Sequence, residues 1–197
     1  ITFDAQGGIV GESVREMAPG KIGTLPKTEQ PAAAKHDYEF VRWYALDQDG
    51  NRSTDTANTE FTKDDTVYAE WKVIPRRLRY NTNGGYPGRN YATNDYWYDS
   101  EELTDLERIK NYTVQNLPSV TNRGYELDGW FVGSTRISNG DAPIEGVTID
   151  LRTQNVATAH WTKLDWVTVS FNSDGGSACN AISVYKGDKV DHYPETT

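Results

Sequence analysis

One short phrase occurs three times in this chain and constrains its fold more than any other feature. It reads ITFDAQGG at Ile1–Gly8, LRYNTNGG at Leu78–Gly85 and VSFNSDGG at Val169–Gly176. Each copy alternates apolar and polar residues, as a half-buried strand does. Each then closes on a glycine pair: Gly7 with Gly8, Gly84 with Gly85, Gly175 with Gly176. Paired glycines after a strand mark backbone that needs positive φ or close approach, both cheap only without a Cβ. A catalytic loop seldom needs three copies, whereas a structural module needs one apiece, so these glycines are read as structural turns. A phosphate-cradling loop would require G-x-G-x-x-G or a P-loop lysine, and neither is present.

Further landmarks recur in the same order. Leu25-Pro26 follow Gly8 by 17 and 18 residues, and Tyr193-Pro194 follow Gly176 at the same spacing. In the second copy Leu117-Pro118 stand 32 and 33 residues past Gly85, an insertion of 15. YEFVRWY (Tyr38–Tyr44) returns as YELDGWF (Tyr125–Phe131), and VYAEWK (Val67–Lys72) as ATAHWT (Ala157–Thr162). The order divides the chain into a first module at 1–73, a second at 78–163 with a helical insertion at about 86–112, and the opening of a third at 166–197. The linkers are IPRR at Ile74–Arg77 and LD at Leu164–Asp165, short enough to favour a semi-rigid row.

The fold class expected is α+β, mostly β. Phe3, Tyr80 and Phe171 belong to opening strands, Trp43 and Trp130 to middle strands, Trp71 and Trp161 to closing strands. All seven are expected in the cores, since core positions recur with the repeat. Asp49-Gly50 signals a hairpin turn. Helix signals are strongest in the insertion: Asp99 or Ser100 as cap, Glu101 and Glu102 in the first turn, Leu103, Leu106 and Ile109 along one stripe. A weaker helical candidate spans Gln30–Lys35. The third module holds one strand, its glycine turn and a second strand around Ala181–Tyr185, without the later hairpin and closing strand. It keeps apolar Val167, Val169 and Phe171 on its inner face, as a module cut in an excerpt would.

These landmarks resemble the Listeria–Bacteroides repeat, also called the internalin B-repeat. Its pattern of V-T-F-D-x-N-G-G, G-K-x-x-x-x-P, G-Y-x-F-x-G-W-Y and L-Y-A-x-W is matched at Ile1–Gly8, Gly20-Lys21 with Pro26, Tyr38–Tyr44 and Val67–Trp71. The second module matches at Tyr80–Gly85, Leu117-Pro118, Tyr125–Phe131 and Ala157–Trp161, and the third at Val169–Gly176, Gly187 and Pro194. Arg42 departs from the pattern, which has glycine before the tryptophan. The resemblance implies small β-grasp-like modules in tandem on bacterial cell-surface or secreted proteins, and it supplies no catalytic residues.

Charge and chemistry narrow the function further. A net charge of −9 argues against nucleic-acid binding, which needs clustered Lys and Arg. Mean hydropathy is −0.74, and no apolar run suits membrane insertion of this segment. The single cysteine, Cys179, gives no disulfide framework and has no neighbouring histidine. His36, His160 and His192 are scattered. DQDGN at Asp47–Asn51 is similar to a calcium loop, but Arg52 and Asn58 stand where the loop needs Gly and Glu. LPKTE at Leu25–Glu29 mimics a sorting signal yet occupies the repeat's own proline position. No cofactor, metal or catalytic residue is expected.

One segment stands apart. The insertion YPGRNYATNDYWYDSEE places Tyr86, Tyr91, Tyr96, Trp97 and Tyr98 among polar groups in one module only. A feature absent from the other copies is free to bind a surface glycan or a protein. Three functions follow: a non-enzymatic stalk or spacer on an extracellular or cell-surface protein, an adhesive module using these aromatics, or an accessory region of a secreted enzyme. Buried aromatics favour the first and an exposed row favours the second.

Overall fold

The computed structural model describes residues 1–31, 37–86 and 97–193. It is mostly β with little helix. The chain divides into two compact units: Ile1–Arg76 with Glu102–Lys110, and Arg77–Glu101 with Asn111–Thr197.

In the first unit the opening strand Thr2–Asp4 runs parallel to the closing strand Thr66–Val73, with Phe3 opposite Val67. The closing strand in turn pairs antiparallel with the middle strand Tyr38–Ala45. The strand last in sequence therefore lies at the centre of the sheet. Its alternation explains that place: Val67 and Ala69 are buried, and a central strand must bury its face against both neighbours. Phe3, Trp43, Ala45, Phe61, Val67 and Ala69 share one core, where Phe3 and Trp43 meet edge-on at 5.5 Å. Burying a side chain of such size stabilises by about 1.5–3 kcal/mol.

The second unit repeats the arrangement. Arg79–Asn81 runs parallel to Val156–Lys163, with Tyr80 opposite Ala157. Val156–Lys163 pairs antiparallel with Tyr125–Val132, and Tyr80 meets Trp130 edge-on at 5.3 Å. Both middle strands carry a bulge one step before the tryptophan: the register shifts between Phe40 and Arg42 in one and between Leu127 and Gly129 in the other. This sheet is wider, because Trp97–Asp99 adds outside the opening strand and Thr135–Arg136 outside the middle strand. The same unit holds a hairpin of Trp166–Val169 with Ile182–Tyr185, the latter within the stretch expected for the third module's second strand.

The insertion helix is shorter than expected and starts later. It spans Leu106–Lys110, and its cap is Asp105, whose side chain accepts from the Arg108 N–H at 2.8 Å. Asp99 ends a strand instead, and the Ser100 hydroxyl accepts from the Leu78 N–H. Leu103 exchanges two backbone hydrogen bonds with Arg76, which holds it out of the helix. Gln30 and Pro31 are not helical, and the rest of that candidate lies outside the described residues. Near Asp49-Gly50 the turn forms, with Gly50 at φ +82° and the Asp47 carboxylate accepting from the N–H groups of Asp49 and Asn51. Those bonds, Asn51 foremost, hold the Asp47 carboxyl below its ordinary range.

Candidate functional site

The repeated phrase folds into one device, built residue by residue. In each copy the fourth residue turns its side-chain oxygen back onto the N–H two positions on. Asp4 accepts from Gln6 at 2.8 Å, Asn81 from Asn83 at 2.9 Å, and Asn172 from Asp174 at 3.0 Å. This local bond favours the left-handed backbone that follows. Gln6, Asn83 and Asp174 have φ of +50°, +48° and +47°, and Gly7, Gly84 and Gly175 +87°, +89° and +94°. Two successive positive φ values are those of a type I′ turn. Its closing bond runs from Gly8 N–H to Ala5 C=O, from Gly85 to Thr82, and from Gly176 to Ser173.

The second glycine does something else. A Cβ on Gly8 would lie 2.5 Å from the Trp71 ring, and one on Gly85 2.3 Å from the Trp161 ring. Each indole rests on its glycine and donates its N–H to a carbonyl of the turn: Trp71 to Ala5 and Trp161 to Thr82, both at 2.9 Å. The turn thus latches the end of the closing strand to the end of the opening strand. One glycine supplies positive φ and the other a seat for a ring. The sequence shows both glycines; the division of labour and the role of Asp4, Asn81 and Asn172 are read only from the structure, although an Asx residue two before the positive-φ position is a usable signal.

Phe3, Trp43, Tyr80 and Trp130 are buried, and Trp71 and Trp161 are half-buried on their glycines. Phe171 is half-exposed. The Trp43 N–H reaches the Pro26 carbonyl at 2.9 Å, which gives the recurring proline position of LPKTE a packing role. The Trp130 N–H is buried without a partner among the described residues, while Tyr80, which replaces Phe3, sends its hydroxyl to the Asn116 carbonyl. Burial raises the Tyr80 pKa, so it stays a phenol that donates. Arg42 is used: with Arg52 it clasps Glu70, each at 2.6 Å. Its counterpart Gly129 has no room for a side chain, because a Cβ would lie 2.3 Å from the Ser138 carbonyl.

Of the insertion aromatics, Tyr91 and Tyr96 lie outside the described residues, as do His36 and Pro194. Tyr86 is half-buried and exchanges backbone bonds with Thr121. Tyr98 faces Tyr80 across the strand pair and has a buried hydroxyl. Trp97 is 44% exposed and lies beneath the Arg79 guanidinium at 4.6 Å, and Asp99 pairs with Arg79 and Arg77. The structure therefore brings Trp97, Arg79 and Asp99 together on one exposed strand pair. An indole face beside a cation and a carboxylate is chemistry suited to hydroxyl-rich or peptide ligands. His160 stacks on Phe131 at 4.1 Å, and His192 and Cys179 lie apart from it in the sequence and at the surface or near it. Among the described residues no cluster of candidate metal ligands occurs, and no helix is long and apolar enough to cross a membrane.

Comparison with known proteins agrees with the motif reading. Residues 1–70 match the family model of the Listeria-Bacteroides repeat domain, so the resemblance holds over that stretch. Over 82% of its length the chain is 24% identical to a protein of Evansella cellulosilytica described as a Gly-rich membrane protein. The chain spans 18% of that relative's length. No solved structure matches the chain.

Proposed function

We propose that these residues form a tandem-repeat region of a bacterial cell-surface or secreted protein and act as a non-enzymatic spacer of β-grasp-like modules. The observation that carries the reading is the shared architecture of the two sheets: parallel opening and closing strands, a bulged middle strand, and an indole latched on a double-glycine turn. A parallel pair that joins the first and last strands of a module ties its two ends together, and breaking it requires many bonds at once. That suits a module that must stay folded while it holds something away from a cell. The family matched at residues 1–70 and the relative described as a membrane protein support a surface setting. Pulling the chain from its two ends in a single-molecule force measurement tests the role. A spacer gives discrete rupture events, each releasing about one module's length; smooth extension without resistance would overturn it.

A second reading is adhesion through the Trp97 surface, favoured by that ring's exposure beside Arg79 and Asp99. The partner would be a surface glycan or protein. Glycan and protein arrays probed with the chain and its Trp97→Ala variant test it: binding lost in the variant, with unchanged melting, supports adhesion, and equal binding overturns it.

A further inference from the structure

The two complete units treat the outer edge of the middle strand differently. In the second unit a main-chain segment lies along it. The Ile137 N–H donates to the Trp130 carbonyl at 2.9 Å, the Ser138 hydroxyl accepts from the Trp130 N–H at 2.8 Å, and the Gly140 N–H donates to the Asp128 carbonyl at 3.0 Å. The segment can come this close because Gly129 has no side chain to meet the Ser138 carbonyl. In the first unit Arg42 stands for Gly129, and Tyr38–Ala45 is the outermost strand of its sheet. At Trp43 the edge receives the Thr56 hydroxyl, which donates to the carbonyl at 2.7 Å. The Trp43 N–H and the Val41 carbonyl are counterparts of the groups that Ser138 and Gly140 take. Among the described residues no loop or side chain bonds either. Beside them runs a groove of about 480 Å³, with Leu25, Pro26, Phe40 and Ala57 among its walls. That volume lies within the usual range of ligand clefts, about 300–1,000 Å³. Phe40 is 38% and Val41 47% exposed, where the second unit has half-buried Leu127 and the polar Asp128. Apolar exposure found in one copy is not a need of the shared core.

We infer that the strand edge at 40–43 and this groove form a docking site for an extended peptide segment of a partner protein, one with apolar side chains at alternate positions and a carboxylate that pairs with Lys27. The peptide lies antiparallel to the strand, as 137–140 does in the second unit. It accepts from the Trp43 N–H and donates to the Val41 carbonyl. Successive side chains of an extended chain point to opposite sides, so every second one enters the groove against Phe40 and Leu25. Main-chain bonds give such a site affinity, and the groove gives it selectivity. Charge sets the acid preference. Asp55 is engaged as a cap by Asn58, and Arg42 is clasped by Glu70. Lys27, exposed on the groove wall, has no acid beside it among the described residues. The inference rests on the comparison of the two middle strands and not on the spacer role, so its failure would leave that role standing.

The test probes the whole chain with a positional-scanning library of octapeptides. Enrichment of Leu, Ile or Phe at alternate positions is expected, with Asp or Glu at one further position. Lys27→Glu should turn that acid preference into one for Lys or Arg. Val41→Asp, which copies the second unit at an exposed position, should leave melting unchanged. It should weaken binding of the best peptide, read by fluorescence anisotropy, by about tenfold or more. Hydrogen exchange at the Trp43 amide should slow when that peptide is bound. No enriched pattern, an acid preference unmoved by Lys27→Glu, binding indifferent to Val41→Asp, or self-association of the peptide-free chain that Val41→Asp abolishes in sedimentation would overturn it.

Discussion

The two complete modules and the opening of the third begin on the same phrase and reach different ends. In the first two the strand is buried beside a closing strand and the turn carries a ring; in the third the turn has the same hydrogen bonds and φ values, and no described residue supplies a ring or a closing strand. The difference separates what is local from what is tertiary. The turn forms from its own eight residues, through an Asx bond and two residues of positive φ. The latch needs a tryptophan that arrives much later in the sequence, Trp71 63 residues after Gly8 and Trp161 76 after Gly85.

The largest effect that can test this comparison is removal of the central rings. Trp43→Ala and Trp130→Ala should each destabilise the unit that holds them by about 3–5 kcal/mol, the cost of a lost core aromatic. Chemical denaturation followed by signals assigned to each unit would show it. If both variants unfolded the same unit, the two sheets would not be the independent repeats described.

A smaller effect sharpens the likeness of the two cores. Trp43→Phe breaks a hydrogen bond to the Pro26 carbonyl, whereas Trp130→Phe removes a buried N–H that has no partner among the described residues. Both lose ring volume, so the first should be the costlier by about 1 kcal/mol. Equal losses by equilibrium denaturation would mean that the Pro26 bond contributes nothing net.

Smallest is the effect of acid on the first unit. Arg42 foremost, then Arg52, hold the Glu70 carboxyl below its ordinary range. Because the folded pKa is depressed, this stabilisation is fully present above the unfolded value, about pH 4.3, and is lost as pH falls through the folded value. The second unit has Gly129 opposite His160 where the first has Arg42 opposite Glu70. Melting temperatures taken from neutral pH down to about pH 3 should fall more steeply for the wild type than for Glu70→Gln. The pair is partly exposed, so salt should blunt the difference. Parallel pH profiles for the two proteins would remove Glu70 from the account.

Much of this was legible in the sequence because it recurs. Phe3, Trp43, Tyr80 and Trp130 stand at matched positions, and matched apolar positions mean a shared core. The turn glycines were legible for the same reason. What recurrence could not show is which strand lies between which: parallel pairing of Thr2–Asp4 with Thr66–Val73 depends on contacts across the whole module, and no local pattern encodes it. Sequence alone puts the helix too early because Asp99 and Ser100 are good caps in isolation; here one belongs to a strand and the other serves the Leu78 N–H. The pattern alone places Phe171 in a core; it is half-exposed and meets the Tyr193 ring edge-on at 6.2 Å. The aromatic insertion was legible only as an anomaly. Trp97 proves exposed and Tyr98 turned partly inward, an assignment that a run of consecutive aromatics cannot make.

The central claim is that the second glycine of the phrase is a ring seat, filled at Gly8 and Gly85 and not by any described residue at Gly176. Thermal melting of Gly8→Ala, Gly85→Ala and Gly176→Ala, compared with the wild type, tests it most directly. None of the three glycines lies in the left-handed region, so the added methyl acts mainly through what it meets. Gly8→Ala and Gly85→Ala should each destabilise their own unit by about 1–3 kcal/mol, as the methyl displaces Trp71 or Trp161. Gly176→Ala should leave melting unchanged. Equal losses at all three positions, or none at any, would contradict the account.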